Sequence, residues 1–93
     1  MVVGLAVFEF HIAGALSLKD KRRVLSSLLS RLRSRFNVSV AEIGDQDVKQ
    51  RATVALAVVS NSSSHADSML SNVANFIENH AGLEIIRVNT QLL

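Results

Sequence analysis

The sequence predicts an α+β domain with four strands and two helices in the order β-α-β-β-α-β. Three observations predict it. Two runs, VVGLAVFEFHI and RATVALAVVS, are apolar on both faces; two longer stretches place apolar residues every three or four positions; and polar, cap-forming residues stand at the joints. At 93 residues and 48% hydrophobic, the chain suits one folded domain over residues 1–93, with a core of aliphatic side chains.

Val2 to Ile12 is rich in β-branched and aromatic residues and reads as the first strand. Phe8, Phe10 and Ile12 share one face and Val3, Leu5 and Val7 the other, as in a central strand covered on both sides. Gly14 and its small neighbours turn the chain toward Ser17, which with Asp20 makes a Ser-x-x-Asp pattern close to the capping box. A helix follows, with Val24, Leu25, Leu28, Leu29, Leu32 and Phe36 on one core-facing stripe.

Asn37 ends that helix, and Val38 to Ile43 read as a second strand. The turn-forming Gly44-Asp45-Gln46-Asp47 then joins it in a hairpin to Arg51–Ser60. Asn61 to Ser64 supply caps, Ser64-x-x-Asp67 repeats the capping pattern, and Ala66, Met69, Leu70, Val73, Ala74, Phe76 and Ile77 form a second stripe. Gly82 stops this helix, and Leu83 to Thr90 finish as an edge strand.

Elements in this order make the ferredoxin-like arrangement, with two helices on one face of a four-stranded antiparallel sheet of order 4-1-3-2. That order puts the two doubly apolar strands in the middle. The predicted core is Phe8, Phe10, Ile12, Leu25, Leu28, Leu32, Val54, Leu56, Leu70, Val73 and Ile77. The opposite sheet face would show Val3, Leu5, Val7, Ala55, Ala57, Val59 and Ile85, a patch that monomers seldom expose. A homodimer or larger homo-oligomer covering it is expected.

Charge is distributed unevenly. Ser17 to Phe36 contains seven of the ten Lys and Arg residues: Lys19, Lys21, Arg22, Arg23, Arg31, Arg33 and Arg35. Asp20 is its only acid, so six net positive charges there and four net negative elsewhere make up the chain's +2. Clustered cations on one element form a footprint for phosphates. Lys19, Lys21, Arg22 and Arg23 also oppose the helix macrodipole at a helix start, where free backbone N–H groups favour an anion. Ser26, Ser30 and Ser34 form a small-residue ridge between the arginines, open to a close approach by a phosphate backbone. An acidic protein partner or a merely solvated face would use the same charges. Lys21, Arg22 and Arg23 are placed outside the apolar stripe or at its margin, so their replacement by Gln is expected to leave the fold intact.

Other chemistry has less support. No apolar stretch approaches the roughly 18 residues of a membrane span, and Val2 to Phe8 is too short for a signal peptide, so a cytoplasmic protein is expected. Absence of Cys removes disulfides and thiolate sites. His11, His65 and His80 are scattered along the chain, and no Gly-x-Ser-x-Gly elbow or Gly-rich phosphate loop is present. Glu42, Asp45 and Asp47 cluster at the hairpin, where a divalent cation is one use for them, but without a calcium-loop pattern they read as an acidic turn or a partner for basic residues. No nucleophile, base and oxyanion set can be assembled, so no enzyme, cofactor or metal is expected.

The stretches HIAGALSLKDKRR (His11–Arg23), RFNVSVAEIGDQD (Arg35–Asp47) and QRATVALAVVSN (Gln50–Asn61) resemble the YlxP-like bacterial family over nearly the whole chain. SLKDKR and FNVSVAE are the most specific of these motifs. The family frequently carries Trp where this chain has Val48, so the resemblance implies no exposed aromatic at this hairpin. It implies a ferredoxin-like fold and, because the family's genes commonly sit among translation-initiation and ribosome-maturation genes, a role near the ribosome.

The expected function is that of a non-enzymatic RNA- or ribosome-associated factor whose basic first helix contacts phosphates without DNA sequence specificity. The alternative is a homo-oligomeric regulatory or ligand-binding domain. Sheet-based base stacking is disfavoured, since Tyr and Trp are absent and Phe8 and Phe10 are needed in the core.

Overall fold

A computed structural model describes residues 1–93. Strand β1 (Val2–His11), helix α1 (Leu18–Arg35), strands β2 (Ser39–Gly44) and β3 (Arg51–Ser60), helix α2 (Ser63–Glu78) and strand β4 (Glu84–Leu92) follow one another as the hydrophobic patterning predicts. The four strands form one antiparallel sheet in the order β2-β3-β1-β4, and the two helices pack on one face. This is the ferredoxin-like βαββαβ fold.

Register explains the sidedness. Phe8 faces Val54, Phe10 faces Ala52 and Ala6 faces Leu56 across the central pair, so alternate residues of β1 and β3 fall into one core beneath the helices. Leu25, Leu28 and Leu32 of α1 and Ala66, Leu70, Val73 and Ile77 of α2 close it, and all eleven predicted core residues are buried. At Gly4 helix α2 comes close to the sheet: a Cβ there would stand 3.3 Å from Leu70 Cδ1 and 3.6 Å from Ala66 Cβ of the helix, and 2.9 Å from Val58 Cγ2 of the neighbouring strand. Helix α2 ends at Glu78 with Asn79 as its C-cap, not at Gly82, whose φ of +88° instead makes the left-handed turn that leads into β4.

The structure corrects two further local expectations. Ser62, not Ser64, caps α2, its hydroxyl accepting from the His65 backbone N–H at 3.4 Å. An irregularity in the β1–β4 ladder sets Glu9 opposite Arg87 but Phe10 opposite Ile85, leaving Ile86 as the extra residue. Ile85 is thereby turned to the core side, where it is partly buried, and does not join the open sheet face. That face instead meets Arg87, Asn89 and Gln91 along β4, opposite Glu9, Val7 and Leu5.

Candidate nucleic-acid interface

Helix α1 begins with the reciprocal cap its sequence suggests. Ser17 Oγ accepts from the Asp20 N–H at 3.1 Å, while Asp20 Oδ2 accepts from the N–H of Leu16, one residue before Ser17, also at 3.1 Å. The cap fixes the helix phase, and the phase separates the seven cations.

Lys21 leaves the surface. It shares a face with Leu25, Leu28 and Leu32, and its side chain is 1% exposed. Its ammonium donates to the backbone carbonyls of Asp45 and, at 2.8 Å, Val48, both in the β2–β3 turn. Glu42 Oε2, on the helix-facing side of β2, lies 3.1 Å away; it is close enough for charge attraction but receives no hydrogen bond. Lys21 therefore cannot meet a phosphate in this fold. Replacing it with Gln would shorten the stem and strand a carboxylate and two carbonyls, so the expectation of a neutral substitution is corrected as well.

Lys19, Arg22, Arg23, Arg31, Arg33 and Arg35 are exposed, and none of them pairs with a carboxylate. Arg33 Nη2 donates to the Val40 carbonyl at 3.0 Å, tying the helix to β2. Arg35 turns toward α2, where its guanidinium stands 5.3 Å from the Phe76 ring centroid and 6.0 Å from that of Phe36. Lys19, Arg22, Arg23 and Arg31 make no side-chain hydrogen bond within the protein. A single helix thus presents six solvent-facing cations whose field no acid neutralises locally.

Two of the three acids of the hairpin are separately engaged. Glu42 faces Lys21, and Asp45, at φ 59°, accepts from Thr53 Oγ1 at 3.2 Å. On the open face, Glu9 lies 3.8 Å from Arg51 and 3.5 Å from Arg87. His11 stands 3.8 Å from Glu84, and His65 shares a hydrogen bond with Ser60 Oγ at 3.0 Å.

Sequence reasoning missed two features. The burial of Lys21 was signalled by its spacing, four and seven residues before Leu25 and Leu28, which places it on the stripe. Phe36 and Phe76, placed on the two helical stripes, are only half-buried and meet edge to face at 5.7 Å across the gap between the helices. Their exposure depends on how far apart the helices sit, which neither periodicity encodes.

The family described as "Protein of unknown function (DUF503)" matches residues 3–90. The chain is similar to the Bacillus subtilis (strain 168) protein named "Uncharacterized protein YlxP", with 41% identity over 83 residues, 89% of this chain and 90% of that one. Among solved structures it resembles the de novo designed protein Foldit4, with a TM-score of 0.56 and 13% identity over 98% of this chain and 97% of that one. A second designed protein, described as having a ferredoxin fold, is similar at a TM-score of 0.44 and 12% identity, over 100% of this chain and 83% of that one.

Proposed function

The chain belongs to the DUF503 family, and on that footing we propose that it is a non-enzymatic, cytoplasmic RNA- or ribosome-associated factor that grips phosphates through α1. One observation carries the reading: Lys19, Arg22, Arg23, Arg31, Arg33 and Arg35 stand exposed on one helix with no carboxylate partner. Guanidinium groups match phosphate geometry, and contacts of this kind position a nucleic acid without reading its sequence. Lys21 supports the site from beneath by fixing the β2–β3 turn beside the start of α1.

The experiment is a titration of structured RNA and ribosomal subunits at several salt concentrations, comparing wild type with a Lys19→Gln, Arg22→Gln, Arg23→Gln triple variant. All three side chains are exposed, so the fold is retained. Binding should weaken for every RNA sequence, and the salt dependence should flatten by roughly one unit of slope per lost phosphate contact. Unchanged affinity and slope would leave α1 as a solvated face.

A second reading concerns self-association, and the open sheet face favours it. Val59 is 67% exposed there, beside Val3, Leu5, Val7, Ala41, Ala55 and Ala57. The same face carries both signs of charge, Glu9 between Arg51 and Arg87, which suits a twofold contact with a second copy in which each sign meets its opposite. A homodimer through this face leaves α1 free on the opposite side. Light scattering should give a dimer mass that Leu5→Glu reduces to the monomer's; a monomer mass for wild type at micromolar concentration would defeat it.

A further inference from the structure

The four phenylalanines divide into two pairs with different surroundings. Phe8 and Phe10, stacked at 5.9 Å, are 0% exposed and closed to any ligand. Phe36 and Phe76 form the floor of a groove of 480 Å³ between the end of α1 and the last turns of α2, within the size range of small-ligand sites. The Arg35 guanidinium stands over this floor, 5.3 Å from the Phe76 ring centroid and 6.0 Å from that of Phe36. Aromatic rings and guanidinium planes are the two kinds of surface on which unstacked bases lie in single-strand recognition.

The wall of the groove is chemically unusual for a helix surface. Asn72, Asn75 and Asn79 recur along the exposed side of α2 at intervals of three and four residues, although Asn is a weaker helix former than the Lys, Glu or Ala that would solvate this row better. Asn79 Nδ2 donates to the Asn75 carbonyl at 2.8 Å, while the amides of Asn72 and Asn75 make no hydrogen bond within the protein. Each free amide offers a donor beside an acceptor, the mixed pattern that base edges present. No carboxylate lines the groove, and Arg31 and Ser34 line a smaller neighbouring one that shares Arg35 and Phe76 with it. A phosphate alone requires only the cations, and an acidic peptide has no use for an aromatic floor.

Building on the RNA reading above, we infer that this groove holds one unpaired nucleobase of a single RNA strand, stacked on the Phe76 ring beside Arg35, with Phe36 set at 79° to that ring as a side wall. Asn72 and Asn75 meet the edge of the base, and Arg31 meets the adjoining phosphate. The protein then reads a flipped-out or single-stranded nucleotide at one end of α1 while the other cations of the helix hold the backbone.

The chain has no Trp or Tyr, so a short single-stranded RNA carrying one 2-aminopurine can be followed by its own fluorescence. Stacking should quench that signal on binding, and an oligonucleotide with an abasic residue in its place should bind about tenfold more weakly at the same salt slope. Phe76→Ala should abolish the quenching. Because Phe76 touches the core, Asn75→Ala serves as the second variant: it is exposed, should fold at least as well, and should lower affinity about fivefold without changing the slope. Equal binding of the intact and abasic strands, with the slope retained, overturns the base site and leaves phosphate binding standing. Absence of RNA binding at low salt overturns both. An acidic peptide that displaces the strand from a groove showing no quenching would assign the surface to a protein partner and likewise overturn the base site.

Discussion

The two ends of α1 treat the same kind of side chain in opposite ways. Near the start, Lys21 is drawn inward and its charge is consumed by Glu42 and two turn carbonyls. At the last residue, Arg35 lies outward over Phe36 and Phe76, with its guanidinium open to solvent and to ligands. What differs is the supply of acceptors within reach. The β2–β3 turn brings backbone oxygens over the first turns of the helix, whereas α2 offers aromatic faces and neutral amides to the last. Counting cations along a helix therefore overstates the charge it shows, and the useful count comes after the inward-facing positions are removed.

Substitutions along α1 can break or sharpen that contrast. The stripe between the two ends sets the scale: Leu28, fully buried, should cost about 2–5 kcal/mol on truncation to Ala, read by urea denaturation. Lys21→Ala should approach it at about 3 kcal/mol, because a carboxylate that keeps 22% of its side-chain surface in solvent is only partly rescued by water. Adding Glu42→Gln should recover part of that loss; no recovery would mean that the turn carbonyls, not the ion pair, hold Lys21. Arg35→Ala should be the mildest, about 0.5–1 kcal/mol, since an exposed cation over a ring contributes little to folding. An Arg35→Ala loss as large as that of Lys21→Ala would show that the two ends are alike after all.

Element order and sheet sidedness were legible because β1 and β3 alternate without interruption and each helix keeps its apolar residues in phase. Single-residue slips were not. The extra residue Ile86 reverses the side of everything beyond it in β4, and nothing in LEIIRVNT distinguishes Ile85 from Ile86 as the one that faces the core. The place of Lys21 on the apolar stripe was written in its spacing, but the acceptors that let its charge be buried there lie 24 and 27 residues away, in a turn whose position only the finished sheet defines. The basic face was visible as composition, and five of its six exposed members are arginines, a preference that survives folding. The aromatic groove was invisible, since Phe36 and Phe76 each fit a core stripe.

The way Lys21 holds the β2–β3 turn frees that turn's sequence. Its ammonium grips main-chain oxygens, which every residue type possesses, so beyond Asp45, whose φ of 59° suits few residues and whose carboxylate accepts from Thr53, the shape of the turn depends little on its side chains. Asp47, Val48 and Lys49 make no side-chain hydrogen bond or ion pair, whereas Gln50 is committed, its amide donating to the carbonyls of Ala13 and Ala15, both at 3.2 Å. Three consecutive positions beside the basic helix are thus displayed on a fixed frame and can be exchanged with little loss of shape. Variation there would alter what the protein meets next to its phosphate-facing surface while the scaffold beneath stays as it is.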